Sequence, residues 1–203
     1  MDLRETYNRI AKDWHHDHND DDWWKEGADK FIGLLGPGDL VLDVGCGAGI
    51  KTKYLIEKGL QVIGIDNSEG MLTIAKENAP HGKFHCMDLR GINQLSDQFA
   101  GIFAQAVLLH IPKKEVSSVL ENLTSKLKSG GYLYLTVKEQ RPGGPEEETV
   151  TESDYGYEYE RFFSYFTVDD LKSFLQNAKL KIVYEKILPT GKTQWLQLIS
   201  QRT

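Results

Sequence analysis

Short apolar runs alternate with stretches whose apolar residues recur at helical intervals, and this alternation organises most of the chain. Runs rich in Val, Ile, Leu and Phe predict strands near 39–44, 61–65, 82–86, 101–107 and 131–138. Helices are predicted near 48–58, 68–78 and 113–128. A stripe of Val116, Val119, Leu120, Leu123 and Leu127, at three- and four-residue intervals, supports the last of them. Strands and helices in alternation imply a parallel sheet covered on both faces, with ligands beyond the carboxyl ends of the strands.

The last third changes pattern. Thr167 followed by Asp170 predicts a capped helix start, with the helix running to about Ala178. Two strands, near 180–187 and 194–200, should follow around a turn containing Pro189 and Gly191. No repeat or second domain is evident, so one domain over residues 1–203 is expected. Two aromatic-rich segments, 1–27 and 139–161, fit no core element. The first is expected to be an N-terminal lid segment and the second an inserted loop over the pocket, because loops this long inside a compact domain are usually functional or disordered.

Composition narrows the function classes. A 203-residue chain with 40% hydrophobic residues can bury a sizeable core as one domain. No stretch approaches the ~20 apolar residues of a membrane span, and the polar start predicts no signal peptide. Cys46 and Cys86 are too few for a disulfide scaffold and suit a reducing cytoplasm, so a cytoplasmic location is expected. The net charge is −6, from 30 acids against 24 bases, and the bases are scattered. That disfavours a nucleic-acid partner, which needs a basic patch, and favours a small-molecule substrate.

Chemistry concentrates in residues 41–49, Val-Leu-Asp-Val-Gly-Cys-Gly-Ala-Gly. Glycines at 45, 47 and 49 let the chain turn sharply and let a ligand touch the backbone, while the following helix presents its N-terminus. A dinucleotide fingerprint would need a glycine where Ile50 stands, and a P-loop would need Gly-Lys-Ser/Thr after the second glycine. Neither is present. Asp43, two residues before the first glycine, suits a cationic ligand better than a phosphate. Asp66 ends the next predicted strand, where a carboxylate can accept from a ribose diol. Asp88 follows the third, where it can accept from an adenine amino group. Together these acids describe a site for an adenosine bearing a positive charge and no phosphate.

This pattern resembles the class I S-adenosylmethionine-dependent methyltransferases, most closely their type 11-like small-molecule branch, over roughly Tyr7 to Gln201. The resemblance implies a Rossmann-like, seven-stranded, mostly parallel sheet with helices on both faces and a C-terminal antiparallel hairpin, an α/β fold. It implies S-adenosylmethionine as cofactor and Val41–Gly49 as the glycine motif. Asp66 would hold the ribose, and Asp88 and Leu89 would flank the adenine. Tyr7, Trp14, Asp43, Gly45, Gly47, Gly49, Asn67, Met71 and Gln105 complete the implied cofactor set, with Tyr7 and Trp14 offering ring faces to the cation. The segment from Gln105 to His110 would lie beside the transferable methyl, and Lys128–Leu135 resembles the glycine turn into strand five.

His110 is a candidate general base, since imidazole titrates near neutrality, or equally a residue that caps the strand end or lines the pocket. Glu139 and Arg161 are pocket candidates through similarity to a subgroup in which a lysine-glutamate end and an arginine-diphenylalanine stretch recur. An ion pair with Glu158 or Glu160 is the plainer reading of Arg161. The acid often found at the start of strand four is replaced by Ala100 or Gly101, so its role does not transfer. His15, His16 and His18 among Asp17, Asp20, Asp21 and Asp22 lack metal-ligand spacing and read as solvated surface, so no metal is expected. Glu146–Glu148 reads as solvated loop. The expected activity is in-line methyl transfer to a small molecule by a monomer or homodimer. A non-catalytic S-adenosylmethionine-binding or regulatory protein and an RNA or protein methyltransferase remain alternatives, and an NAD enzyme is the weakest.

Overall fold

The alternating pattern becomes a seven-stranded sheet in a computed structural model that describes residues 2–203. In chain order the elements begin with helices α1 (Leu3–His18) and α2 (Lys25–Ile32), then β1 (Leu40–Val44), α3 (Ile50–Glu57), β2 (Gln61–Asp66) and α4 (Glu69–Asn78). There follow β3 (Lys83–Cys86), β4 (Phe99–Gln105), α5 (Lys113–Lys126) and β5 (Leu127–Lys138). A small hairpin of β6 (Glu147–Glu152) and β7 (Tyr159–Ser164) precedes α6 (Val168–Asn177), β8 (Leu180–Thr190) and β9 (Thr193–Arg202). The sheet order is β3-β2-β1-β4-β5-β9-β8, with β9 antiparallel to both of its neighbours. The implied fold is therefore present.

Strand alternation divides the core into two layers. Leu42, Ile63, Ile102, Leu133 and Leu198 face one side, where Val116, Leu120, Leu171 and Leu175 of α5 and α6 pack on them. Val41, Val62, Phe103, Tyr134 and Ile199 face the other, against Trp24 and Phe31. The Phe103 and Tyr134 rings stack there at 4.3 Å. Thr167 and Asp170 form the expected capping box at the start of α6.

The boundaries differ in instructive places. β4 stops at Gln105 rather than 107, because Ala106 takes a left-handed conformation (φ 53°) and turns the chain into a short 3-10 helix ending at His110. Pro189 lies inside β8 rather than in the turn, paired with Gln194. β8 is the sheet's outer strand, where a residue without an N–H is tolerated.

Both segments assigned to no core element carry regular structure. Apart from Met1, which is not described, residues 1–27 contain the 16-residue helix α1 and the start of α2. The 139–161 segment contains β6 and the start of β7 rather than an open loop. The patterning hid them because α1 buries only Thr6, Ile10 and Ala11, and β6 buries no residue fully. Polar contacts hold them instead: Thr6 Oγ1 donates to the Glu160 carbonyl and Arg9 Nη1 to that of Glu158, both at 3.0 Å. Glu146–Glu148, read as loop, runs into β6.

Leu120 is fully buried under the sheet, whereas Leu34 is 41% exposed. Leu120→Ala is expected to lower unfolding stability by about 2–5 kcal/mol. Leu34→Ala should change it by no more than about 0.5 kcal/mol in the same urea titration. Equal losses would mean that α5 does not pack as described.

Candidate functional site

The carboxyl ends of β1, β2, β4 and β5 open onto one cavity of about 800 Å³, whose wall also includes residues of α1 and β7. That volume is in the upper range for small-molecule sites. The glycine turn after β1 forms part of it, and its three glycines do different things. Gly45 and Gly49 are packing residues as well as turn residues, both at positive φ. A Cβ on Gly45 would stand 2.6 Å from Val107 Cγ2, and one on Gly49 would stand 2.9 Å from Ala75 Cα. Gly47, also at positive φ (52°), would meet nothing within 4 Å and faces the open cavity. Gly49 itself does not line the cavity; it caps α3 in a left-handed conformation and lets α4 approach.

The acids after the strands are held differently from one another. Asp43 is buried, accepts from Thr52 Oγ1 at 2.6 Å, and is pushed by that burial up to about 7. Asp66 accepts from Gly47 N and Ser68 N, each at 2.9 Å, and burial raises its pKa as well. A carboxylate has about four acceptor sites, so these two bonds leave room for hydroxyl donors. Asp88 lines the cavity, but both of its oxygens accept from Arg90 Nη1, and Arg90 Nε bonds Glu115. The sequence showed no sign of that engagement. Asn67, Met71 and Leu89 also line the cavity. Gln105 accepts from Tyr134 Oη at 2.9 Å, while its Nε2 is buried without a partner.

The opposite wall is a hydrogen-bonded chain. The Phe162 carbonyl can only accept, so His110 Nδ1 must donate to it at 2.7 Å, which leaves Nε2 as an acceptor. Tyr7 Oη lies 3.0 Å from Nε2 and donates to it, and Arg161 Nη1 reaches Tyr7 Oη at 3.4 Å. Desolvation, with the cations of Arg161 and Lys138 adding to it, lowers the His110 pKa to about 3. The imidazole is thus neutral at neutral pH, and its one acceptor nitrogen is already engaged. This geometry is that of a pocket-lining residue, and a base role would first require Tyr7 to leave.

Arg161 pairs with neither Glu158 nor Glu160. Its Nε and Nη2 fork onto the two oxygens of Glu152, each at 2.5 Å, with its guanidinium 4.7 Å from the Trp14 ring centroid. Glu139 is not among the residues lining the cavity; its backbone N–H bonds the Gln194 carbonyl and it bridges to Phe166. Neighbouring residues on a strand face opposite ways, so the preceding Lys138 lines the cavity instead. Lys51 and Trp195 line the cavity, and Glu152 holds Arg161 in it, although sequence patterning assigned none of the three to the pocket. Among the described residues, no group of three or more His, Cys, Asp or Glu is placed to hold a metal ion. His18 of the N-terminal cluster stacks on Trp14 at 3.7 Å.

These features suit S-adenosylmethionine: an open left-handed turn at Gly47, acids for a cation and a diol, and an unpaired amide donor at Gln105. Fold and site together define a Rossmann-like methyltransferase architecture. Residues 41–131 match a family described as a methyltransferase domain. The ubiquinone biosynthesis O-methyltransferase of Coxiella burnetii is 29% identical over 133 residues, 57% of this chain and 56% of that protein. Phosphoethanolamine N-methyltransferase 1 of Zea mays is 32% identical over 177 residues, 85% of this chain and 34% of that protein. The chain therefore spans about half, or less, of the length of these curated relatives. The magnesium protoporphyrin IX methyltransferase of Synechocystis PCC 6803, solved with bound S-adenosylhomocysteine, shares the fold with a TM-score of 0.75 at 22% identity, over 99% of this chain and 98% of that one. The chain thus carries a methyltransferase domain over residues 41–131 and has the fold of S-adenosylmethionine-dependent methyltransferases.

The low His110 pKa has a linkage consequence. The unfolded chain binds a proton there near 6.5 and the folded protein only near 3, so stability is lost as pH falls below about 6.5. Wild type should therefore lose on the order of 1 kcal/mol more than His110→Gln between pH 7 and pH 5. Asp43 titrates in the opposite sense but is common to both proteins, so it cancels from the difference between their urea midpoints. A constant difference across that range would contradict a neutral His110.

Proposed function

We propose that the chain transfers the methyl group of S-adenosylmethionine to a small-molecule acceptor by in-line displacement. One observation carries this reading: a single cavity joins the glycine turn and its acids to the Tyr7–His110–Arg161 wall, with room for two small molecules. The cofactor supplies a sulfonium methyl that is already electrophilic. What remains for the protein is orientation, which can contribute roughly 7–11 kcal/mol in favourable cases.

The roles follow from position. Asp66 is assigned to the ribose, the Gly45–Gly47 backbone with Asp43 and Gln105 to the methionine end, and Asn67, Asp88 and Leu89 to the adenine surroundings. Met71 backs the turn, and the rings of Tyr7 and Trp14 stand over the cation. Arg161, fixed by Glu152, holds Tyr7 and through it His110, which keeps the acceptor wall rigid and water out. Gly49 supports the turn from behind, and Glu139 has no contact role in this assignment. The small-molecule names of the relatives support a small acceptor, and the net charge of −6 argues against nucleic acid. Two free thiols, Cys46 and Cys86, fit a reducing cytoplasm, and we take the active unit to be a monomer or homodimer. No described helix is long and apolar enough to cross a membrane.

Calorimetry tests the donor. S-adenosylhomocysteine should bind, and Asp66→Asn should weaken it roughly tenfold or more, since a hydrogen bond to a charged group is lost. Glu139→Gln should leave that affinity unchanged. Wild type incubated with S-adenosylmethionine and a metabolite extract should release S-adenosylhomocysteine, which a purely regulatory binder would not do. Binding of NAD without binding of S-adenosylhomocysteine would overturn the reading.

A further inference from the structure

Charge matching around the cavity leaves two lysines without an ion pair among the described residues: Lys51, on the donor side where Asp43 and Asp21 attract it, and Lys138. Arg161 is neutralised by the Glu152 fork, and His110 carries no charge at neutral pH. Lys113 is satisfied elsewhere by Glu146 and Asp170. Lys138 lines the cavity beside Arg161, yet among the described residues its Nζ has no carboxylate within ion-pair distance and no hydrogen-bond partner. Its Nζ stands 3.8 Å from the centroid of Phe163 and 6.0 Å from that of Trp195. Ring faces attract an ammonium but cannot accept its three N–H bonds as a carboxylate would. Asp154, also in the wall, accepts from Tyr159 Oη at 3.3 Å. Burial, with Arg161 adding to it, lowers the Lys138 pKa to about 8, so the group is still mostly protonated at neutral pH.

The location follows from the fold. Lys138 is the last residue of β5 and pairs in register with Trp195 of β9, on the cavity side away from the β3 edge of the sheet. The acids assigned to the donor, Asp43 and Asp66, come from β1 and β2. A cationic donor against acids and an unmatched cation among rings give the two halves of the cavity opposite preferences. Phe163, Trp195, Tyr159 and Trp23 add flat apolar surface beside the cation.

Resting on the methyltransferase reading above, we propose that Lys138 determines acceptor specificity, its ammonium holding the carboxylate of an aromatic acid whose ring lies against Phe163 and Trp195. The carboxylate is the handle, and methylation falls on another nucleophilic atom of the acceptor. Cationic acceptors are rejected by the same charge.

The test uses the full chain loaded with S-adenosylhomocysteine and titrated with 4-hydroxybenzoate or 4-hydroxybenzamide, which share a shape and differ in charge. Wild type should bind the acid roughly tenfold or more tightly than the amide. Lys138→Met should erase that preference, and Lys138→Arg should keep most of it. S-adenosylhomocysteine affinity should be the same in all three proteins, which separates loss of the anion site from misfolding. Equal affinity for acid and amide in wild type, binding of neither, or a preference that survives in Lys138→Met would overturn the proposal. Failure of wild type to bind S-adenosylhomocysteine would instead overturn the donor reading on which it rests.

Discussion

The Asp66 carboxylate is the joint on which the site depends. By accepting from Gly47 N and Ser68 N it ties the turn after β1 to the turn after β2, so two loops become one rigid floor. Ser68 then caps α4 by accepting from Met71 N and donates through its hydroxyl to Asn8 Oδ1. Asn8 also accepts from Gly70 N, so α1 is anchored to the start of α4. A Cβ at Gly70 would stand 3.0 Å from the Asn8 carbonyl oxygen, which shows how close the two helices lie.

From α1 the network continues to the other wall. Tyr7 bonds His110, Arg161 reaches Tyr7, and Glu152 holds Arg161. The donor floor, the N-terminal helix and the β6–β7 hairpin thus share one continuous chain of polar contacts. Each such bond contributes only about 0.5–1.5 kcal/mol. Their joint effect is positional: they hold α1 in place although it buries few apolar residues.

The site is electrostatically divided as well. Burial raises Asp43 and Asp66 on the strand-end side, favouring a cation that would restore their charge. On the β7 side desolvation lowers His110 and Lys138, leaving a neutral imidazole beside an unmatched ammonium. A cavity with such opposed walls can orient two different molecules toward one another without a dedicated base. In-line methyl transfer needs such orientation first.

Chain patterning alone located the seven strands of the main sheet, the glycine turn, the acids at the strand ends and the capped α6, because each is a local signal carried by residues within a few positions of one another. Hydrophobic periodicity reports burial on a sheet or against a helix face, so it found the strands and α5 but missed α1 and β6, which are held by polar contacts. Only the tertiary structure decided which side chains face one another across the cavity. Tyr7 and His110 are 103 residues apart, and Tyr7 and Arg161 154. The choice of Lys138 over Glu139 for the wall is set by strand phase at the end of β5, and the pairing of Arg161 with Glu152 by the register of a hairpin. Spacing along a chain does not encode such distances, because they arise only when the sheet brings the ends of separate strands together.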